Sequence, residues 1–130
     1  LGPQPALGQL GELVEQLTDT GMTIDVEAEL SSGLPARVEL FAYRIVQEAL
    51  TNVLKHGGID ATARVHLEEA DGYLNIEVTD TGSGTSESQG SGHGIVGMKE
   101  RALLLGGTLD AGPLPEGGFR VLSRLPIGDQ

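Results

Sequence analysis

Four residues near the end of one predicted helix have side chains that could bind a metal ion together with phosphate groups. Residues 35–56 show the apolar spacing of a helix, and one rim of the apolar arc carries Glu48, Asn52, Lys55 and His56. At about 100° per residue the first three fall within about 60° of one another, and His56 lies between them and the centre of the arc. Such a rim can hold a hydrated divalent cation and its phosphates, because hard cations prefer oxygen ligands. The alternative is an ordinary solvated flank with an i,i+4 pair.

Asp80 is a second candidate, because it continues the inward face of a predicted strand. The apolar residues that alternate from Leu74 to Val78 define that face, and Asp80 keeps their period. A buried carboxylate needs hydrogen-bond donors, and the exocyclic amino group of a purine is one source of them. The alternative is that the strand ends at Thr79 and that Asp80 opens a turn with Gly82.

Glycines form the third element of a candidate site. The segment 80–84 is Asp-Thr-Gly-Ser-Gly, and further glycines lead into a helix: Gly90, Gly92, Gly94 and Gly97. The amides of such a backbone can point at an anion. Residues 92–97 also match the dinucleotide fingerprint G-x-G-x-x-G, which requires its first glycine directly after a strand. About ten polar residues intervene here, so the dinucleotide interpretation is disfavoured.

Hydrophobic periodicity predicts the elements that must position these residues. The expected order is helix, strand, helix, strand, strand, loop, helix, strand, strand, at about residues 7–17, 22–30, 35–56, 63–67, 74–78, 81–94, 95–105, 108–111 and 119–125. All apolar side chains of the first strand are expected on one face. Helices among hairpin-connected strands indicate a two-layer α/β sandwich in one domain, residues 1–130, with 1–30 as its lead-in helix and first strand.

Composition excludes several classes of function. The 130 residues carry a net charge of −11, so nucleic acid and anionic membranes are poor partners. The chain has no cysteine, which excludes disulfides, thiolate metal sites and cysteine nucleophiles and suits a reducing cytoplasm. No apolar run is long enough to span a bilayer, and no signal peptide is present, so we expect a soluble chain. Because it starts at Leu1, we expect it to be part of a longer protein.

Three segments together resemble the nucleotide-binding boxes of two-component sensor histidine kinases. Residues 44–56, RIVQEALTNVLKH, resemble the N box, and residues 80–84 are similar to the first glycine box, D-x-G-x-G. Residues 92–101, GHGIVGMKER, look like the second glycine box in the form used by the branch that pairs with NarL-type response regulators. The resemblance covers about residues 35–126, with the boxes in the right order and spacing.

The resemblance implies a Bergerat ATP-binding fold, a mixed sheet covered on one face by helices, shared with gyrase, Hsp90 and mismatch-repair ATPases. It implies ATP and Mg²⁺ as ligands and transfer of the γ-phosphoryl to a histidine on a separate dimerisation domain of the parent protein. That domain is expected before Leu1, because none of His56, His66 and His93 has the His-Glu setting of an acceptor. A response regulator is then an indirect partner, and the domain is cytoplasmic although its parent is expected to be membrane-anchored in some cases.

Site roles follow residue by residue from the same resemblance. Asn52 would coordinate Mg²⁺, and Glu48 would orient water or polarise the reacting centre, with access to the metal through water. Lys55 and His56 would approach the phosphates. Asp80 would accept a hydrogen bond from the adenine amino group.

Further residues implied by the resemblance surround a lid at 81–94. Gly82 and Gly84 would form the floor of the base pocket. Where the lid meets the following helix, three more residues would hinge it and contact the triphosphate: Gly92, His93 and Gly94.

One departure and two rival functions accompany this prediction. Gly118-Phe119 stands where many relatives have Gly-Thr, so a threonine hydroxyl that would help the aspartate bind adenine is missing. One rival is a serine kinase of the anti-sigma type with the same fold. The other is a degenerate, non-catalytic nucleotide-binding or interaction domain, against which the intact Glu48, Asn52 and Asp80 argue.

Overall fold

The computed structural model describes residues 6–30, 33–57, 61–81 and 92–127. Its helices and strands follow the predicted order, after a 3-10 turn at Ala6–Gln9: α1 (Leu10–Thr18), β1 (Thr23–Glu29), α2 (Ala36–Gly57), β2 (Thr62–Ala70), β3 (Tyr73–Asp80), α3 (Gly92–Leu104), β4 (Thr108–Pro113) and β5 (Phe119–Pro126). None of the helices in these ranges is long and apolar enough to cross a membrane.

The five described strands form one mixed sheet in the order β1-β2-β3-β5-β4. β1 pairs with β2 in parallel, because the chain between them crosses over through α2, and the other neighbours are antiparallel. The hairpin between β2 and β3 turns at Asp71 and Gly72, whose φ angles are 56° and 82°. Both angles lie in the left-handed region that a two-residue primed turn needs, so the predicted hairpin is confirmed.

Helices cover one face of the sheet. α2 packs over β2 and β3, and α3 packs over β4 and β5. The apolar arc predicted for α2 is buried: Val38, Phe41, Ala42, Ile45, Ala49 and Val53. Along β2 and β3, buried side chains alternate with more exposed ones, so the second face is open to solvent. The predicted two-layer α/β sandwich is confirmed.

β1 departs from the prediction that its apolar side chains share a buried face. Met22, just before the strand, is 2% exposed, but Val26 is 40% exposed and Ala28 is exposed as well. β1 is an edge strand, and the long helix α2 packs over β2 and β3 instead of over it. The alternating pattern therefore identified the strand correctly. Which of its side chains are buried depends on the helices that pack against the sheet.

α3 begins earlier than the sequence predicts. The predicted loop 81–94 overlaps its first turn, because the helix starts at Gly92 and not near Ile95. Glycines disfavour helix by about 1 kcal/mol relative to alanine, which is why the prediction placed the start too late. In the structure, Gly94 of this first turn packs against Glu48 of α2, as described below. Residues 82–91 lie outside the described residues, so the lid remains a prediction.

Candidate functional site

One end of the sheet gathers the ends of several elements. The register places Asp80, the last residue of β3, beside Ala63 at the start of β2 and beside Phe119 at the start of β5. α2 ends here, because its last residue, Gly57, comes only five positions before Thr62 at the start of β2. α3 also begins here. The helix is followed by Thr108, which pairs with β5 at the end far from Phe119, so the start of the helix lies at the near end. The ends of two helices and three strands therefore surround one region, which we call the Asp80 end of the sheet.

Asp80 lies on the covered face of the sheet and is 9% exposed. β3 extends through this residue, so the alternative in which the strand ends at Thr79 is wrong. In the described part of the chain only Asp80 and Ser123 are buried polar side chains. The Ser123 hydroxyl donates a hydrogen bond of 2.8 Å to the Thr108 carbonyl and so links β5 to β4. Asp80 instead sits where the sheet ends, which is where a ligand can reach a buried carboxylate.

Gly118 packs directly against the backbone of Asp80. A Cβ atom at this position would collide with the Asp80 carbonyl oxygen and would lie 3.1 Å from its carbonyl carbon and 3.4 Å from Oδ1. The φ angle of Gly118, 93°, is one that side-chain-bearing residues rarely adopt. Sequence reasoning noted Gly118-Phe119 as a departure but missed this contact. The adjacent pair Gly117-Gly118 before a strand was the available signal.

The residues on the rim of α2 differ in how far they are exposed to solvent. Glu48 and Asn52 are half-buried and Lys55 is exposed. Asn52 Oδ1 is buried and has no hydrogen-bond partner among the described residues. Leaving such an oxygen unsatisfied costs about 1–3 kcal/mol, so the position is suited to a cation that the oxygen could coordinate or to a hydrogen-bond donor. A simple solvated flank does not account for this atom.

Glu48 joins α2 to the first turn of α3. Its carboxylate packs against Gly94, where an added Cβ would lie 2.6 Å from Glu48 Cδ and 3.2 Å from Oε1. No side chain fits between them. The first turn of a helix carries a partial positive charge on its unpaired amides, so a carboxylate beside it is in a favourable field. Sequence reasoning placed both residues in the site but did not foresee that they touch.

Some of the remaining predicted site residues lie in the described part of the structure, and others do not. Gly82 and Gly84 lie outside the described residues, as do the side chains of His56 and His93. Gly92 begins α3 and therefore lies at the Asp80 end of the sheet. Across the described ranges no group of three or more His, Cys, Asp or Glu side chains could hold a metal ion by itself. A metal here would depend on Asn52 together with ligand oxygens.

Two arginines of β5 lie on the face of the sheet opposite Asp80. Arg120 and Arg124 alternate with the buried Val121 and Leu125, so they lie on the open face of the sheet. On α3, Lys99 and Arg101 are exposed. Among the described cations of the predicted site, Lys55 is therefore the one available for a phosphate.

Residues 37–129 match the family of histidine kinase-, DNA gyrase B- and HSP90-like ATPases. The chain belongs to this family. It is 33% identical over 122 residues to the sensor histidine kinase YxjM of Bacillus subtilis, covering 94% of this chain and 30% of that protein. It is 32% identical over 99 residues to the sensor protein VraS of Staphylococcus aureus, covering 75% and 28%. The chain thus spans about a third of the length of these curated relatives.

Solved structures show the same fold for this family member. A blue-light activated histidine kinase from Erythrobacter litoralis superposes with a TM-score of 0.75 at 20% identity, covering 97% of this chain and 43% of that one. The catalytic domain of the histidine kinase ThkA superposes with a TM-score of 0.67 at 11% identity, covering 93% and 95%. The predicted Bergerat-type sandwich, with a mixed sheet covered on one face, is confirmed.

Proposed function

We propose that this chain is the ATP-binding catalytic domain of a two-component sensor histidine kinase. The observation that carries the proposal is the buried Asp80 at the sheet end where α2 ends and α3 begins, with Glu48 in contact with Gly94. The γ-phosphoryl of Mg·ATP would pass to a histidine of a separate domain and from there to a response regulator. The motif at 92–101 supports the branch that pairs with NarL-type regulators.

Asp80 would bind the adenine base. Its carboxylate accepts hydrogen bonds, and the exocyclic amino group of adenine is a matching donor. At 9% exposure, a hydrogen bond made there is shielded from water and is electrostatically stronger than the same bond at the surface. Gly82 and Gly84 would form the floor of the base pocket.

The residues present fit a magnesium ion. Asn52 offers a buried amide oxygen without a hydrogen-bond partner in the described part of the chain, and Glu48 lies one turn earlier on the same rim. Mg²⁺ keeps several waters and is bound by few protein oxygens together with substrate phosphates, so one amide and a water-linked carboxylate are a suitable donor set. When bound, the ion would neutralise a triphosphate that a chain of net charge −11 otherwise repels.

The phosphates and the reacting centre would lie between α2 and α3. Lys55, His56 and the amides of residues 92–94, His93 included, would contact the phosphates, because a helix N-terminus attracts anions. Glu48 would accept a hydrogen bond from the acceptor imidazole or from a water and so orient it. As the nitrogen–phosphorus bond forms, the bond from the γ-phosphorus to the leaving ADP oxygen breaks. In such reactions the protein contributes mostly positioning and charge stabilisation.

The acceptor histidine would come from outside this domain. His66 lies on β2 between the buried Val65 and Leu67, and therefore on the face of the sheet opposite Asp80. We place the acceptor on a dimerisation domain of the whole protein, on the cytoplasmic side where ATP is available. Residues 1–130 would form one domain, with 81–94 as its lid.

The test is phosphoryl transfer from labelled ATP. The chain is incubated with γ-labelled Mg·ATP alone and with an acceptor-helix domain of its parent protein. We expect ATP binding without self-labelling, and acid-labile label on the acceptor when it is supplied. Acid-stable label on a partner protein would favour the serine kinase, and failure to bind ATP would favour the degenerate domain. Calorimetric affinities that are equal with and without Mg²⁺ would remove the metal role of Asn52.

A further inference from the structure

The two edges of the sheet differ in how far they are protected against pairing with another strand. At one edge, β4 lies beneath α3 and ends in Gly112-Pro113, and proline has no amide hydrogen to donate. At the other edge, β1 contains neither glycine nor proline, and every residue except the half-buried Ile24 is exposed. Exposed edges readily pair with a further strand, which a covering helix or a proline normally prevents. Of the two edges, β1 is therefore the one that is open to another strand.

Alternate residues of β1 direct their backbone groups to the free side. The amide of Thr23 donates a hydrogen bond of 3.1 Å to the Ala61 carbonyl, so Thr23 and the residues that keep its period bond toward β2. Successive strand residues turn their N–H and C=O groups to opposite sides. The backbone groups of the intervening residues therefore lie at the free edge: Ile24, Val26 and Ala28. An added strand would pair with these groups.

The side chains of β1 give its two faces different chemistry. On the covered face of the sheet, Val26 is 40% exposed and Ala28 is exposed as well. On the open face lies a row of exposed carboxylates, which we call the acidic row: Asp25, Glu27 and Glu29. None of the three forms an ion pair within the described ranges. An added strand would therefore meet apolar side chains on one face and negative charge on the other.

The neighbouring strand does not neutralise the acidic row. The register places Arg64 beside Asp25, His66 beside Glu27 and Glu68 beside Glu29. Arg64 is the only lysine or arginine among these neighbours, so the far end of the acidic row keeps its negative charge. A strand that carries positive charge on the same face would make favourable cross-strand pairs there.

A second copy of this chain is a poor occupant of the edge. In a two-fold dimer the two β1 strands would pair in antiparallel fashion, with both acidic rows on the same face of the joined sheet. Like charges on neighbouring strands are destabilising. The segments of this chain that lie outside the described residues contain no lysine or arginine and offer no opposite charge. Charge complementarity therefore favours a basic segment of another protein.

We propose that the free edge of β1 is a docking site for an extended segment of a partner protein, in which lysine or arginine alternates with apolar residues. The segment adds to the sheet as a further strand. Its apolar side chains lie beside Val26 and Ala28, and its cations lie beside the acidic row. In strand addition the main-chain hydrogen bonds give affinity and the alternating side chains give specificity. The net charge of −11 also attracts a basic partner from a distance.

The first test titrates two synthetic peptides of equal composition into the chain. In one peptide valine and lysine alternate, and in the other the lysines are grouped at one end. The alternating peptide should bind at least about tenfold more tightly, because only alternation matches the two faces of β1. Equal affinities would mean that the peptides respond to net charge alone, and they would overturn the proposal.

Two variants locate the binding edge. Glu27→Lys reverses one charge of the acidic row and should weaken binding of the alternating peptide by about fivefold or more. Asp110→Lys makes the same change of charge at an exposed position of the other edge strand, β4, and should leave the affinity within about twofold. Equal losses in the two variants would overturn the proposal.

Hydrogen exchange tests the pairing of the backbone itself. The amides of Val26 and Ala28 should exchange more slowly when the alternating peptide is bound, while the amides of β4 keep their rates. Unchanged rates at Val26 and Ala28 would overturn strand addition. Slow exchange of the same amides without peptide, in a chain that sediments as a dimer, would make a second copy the occupant and would also overturn the proposal. None of these measurements needs a nucleotide, so their outcome is independent of the proposed function.

Discussion

The two faces of the sheet place carboxylates of one strand in opposite environments. On the open face, Glu77 of β3 lies 3.8 Å from the guanidinium of Arg120, and the side chains are 37% and 46% exposed. On the covered face, Asp80 of the same strand is 9% exposed. Water and salt screen the first carboxylate, so its ion pair contributes about 0–1 kcal/mol. The second is shielded from water, so burial distinguishes the two carboxylates of this strand.

Aromatic residues show the same contrast. On the open face, the guanidinium of Arg124 lies 4.0 Å from the centroid of the Tyr73 ring, an interaction worth about 0.5–1 kcal/mol at exposed sites. On the covered face, the partly exposed Phe119 lies beside Asp80. The open face carries exposed pairs that contribute little free energy, whereas the Asp80 end of the sheet brings a buried carboxylate beside a partly exposed aromatic ring.

The largest expected effect comes from Asp80→Asn. Losing a buried, charge-assisted hydrogen bond costs about 1.5–3 kcal/mol, so Mg·ATP affinity measured by calorimetry should fall about ten- to a hundred-fold. The matched control is Glu77→Gln, on the opposite face of β3, which should change affinity by less than about twofold because its charge is screened. Equal losses in the two variants would remove the distinction between the faces.

Gly118→Ala tests the contact that brings β5 against Asp80. Both Gly117 and Gly118 have positive φ angles, 106° and 93°, so alanine is strained at either position. Only the Cβ at Gly118 meets other atoms, since nothing lies within 4 Å of one at Gly117. Urea unfolding should therefore show Gly118→Ala to be less stable than Gly117→Ala by about 1–3 kcal/mol. Similar free energies of unfolding would show that the collision relaxes without cost.

Gly94→Ala tests the contact between α2 and α3. Gly97 is its control, because a Cβ there has nothing within 4 Å. Gly97→Ala should raise the free energy of unfolding by about 0.5–1 kcal/mol, the ordinary gain for alanine in a helix. Gly94→Ala should lose that gain, since its Cβ pushes Glu48 aside, and should slow phosphoryl transfer to the acceptor. An equal rise in both variants would mean that the contact with Glu48 does not affect the free energy of unfolding.

The smallest expected effect belongs to the open face. Arg120→Gln should lower the free energy of unfolding by at most about 1 kcal/mol, and salt should reduce the difference further. Its affinity for Mg·ATP should match that of the unchanged chain. A large loss of nucleotide binding would instead mean that charge on the open face reaches the site.

Local patterns predicted the order of the elements and much of the site. Alternation placed Asp80 on the covered face of β3 because successive strand residues point to opposite faces whatever the rest of the chain does. The helical period likewise placed Glu48 and Asn52 on one rim of α2. These patterns depend on backbone geometry within a few residues, which is why the printed sequence was enough for them.

Tertiary structure alone decided the features that depend on what packs against a residue. Val26 alternates correctly yet is exposed, because α2 packs over β2 and β3 and not over the edge strand. The contact of Glu48 with Gly94 joins segments that are far apart in the chain, and so does the packing of Gly118 on Asp80. A periodic pattern carries no information about such pairs, since each is fixed by how sheet and helices come together. The sequence by itself determined which face of β3 and which rim of α2 carry these residues, and the fold determined which of them touch.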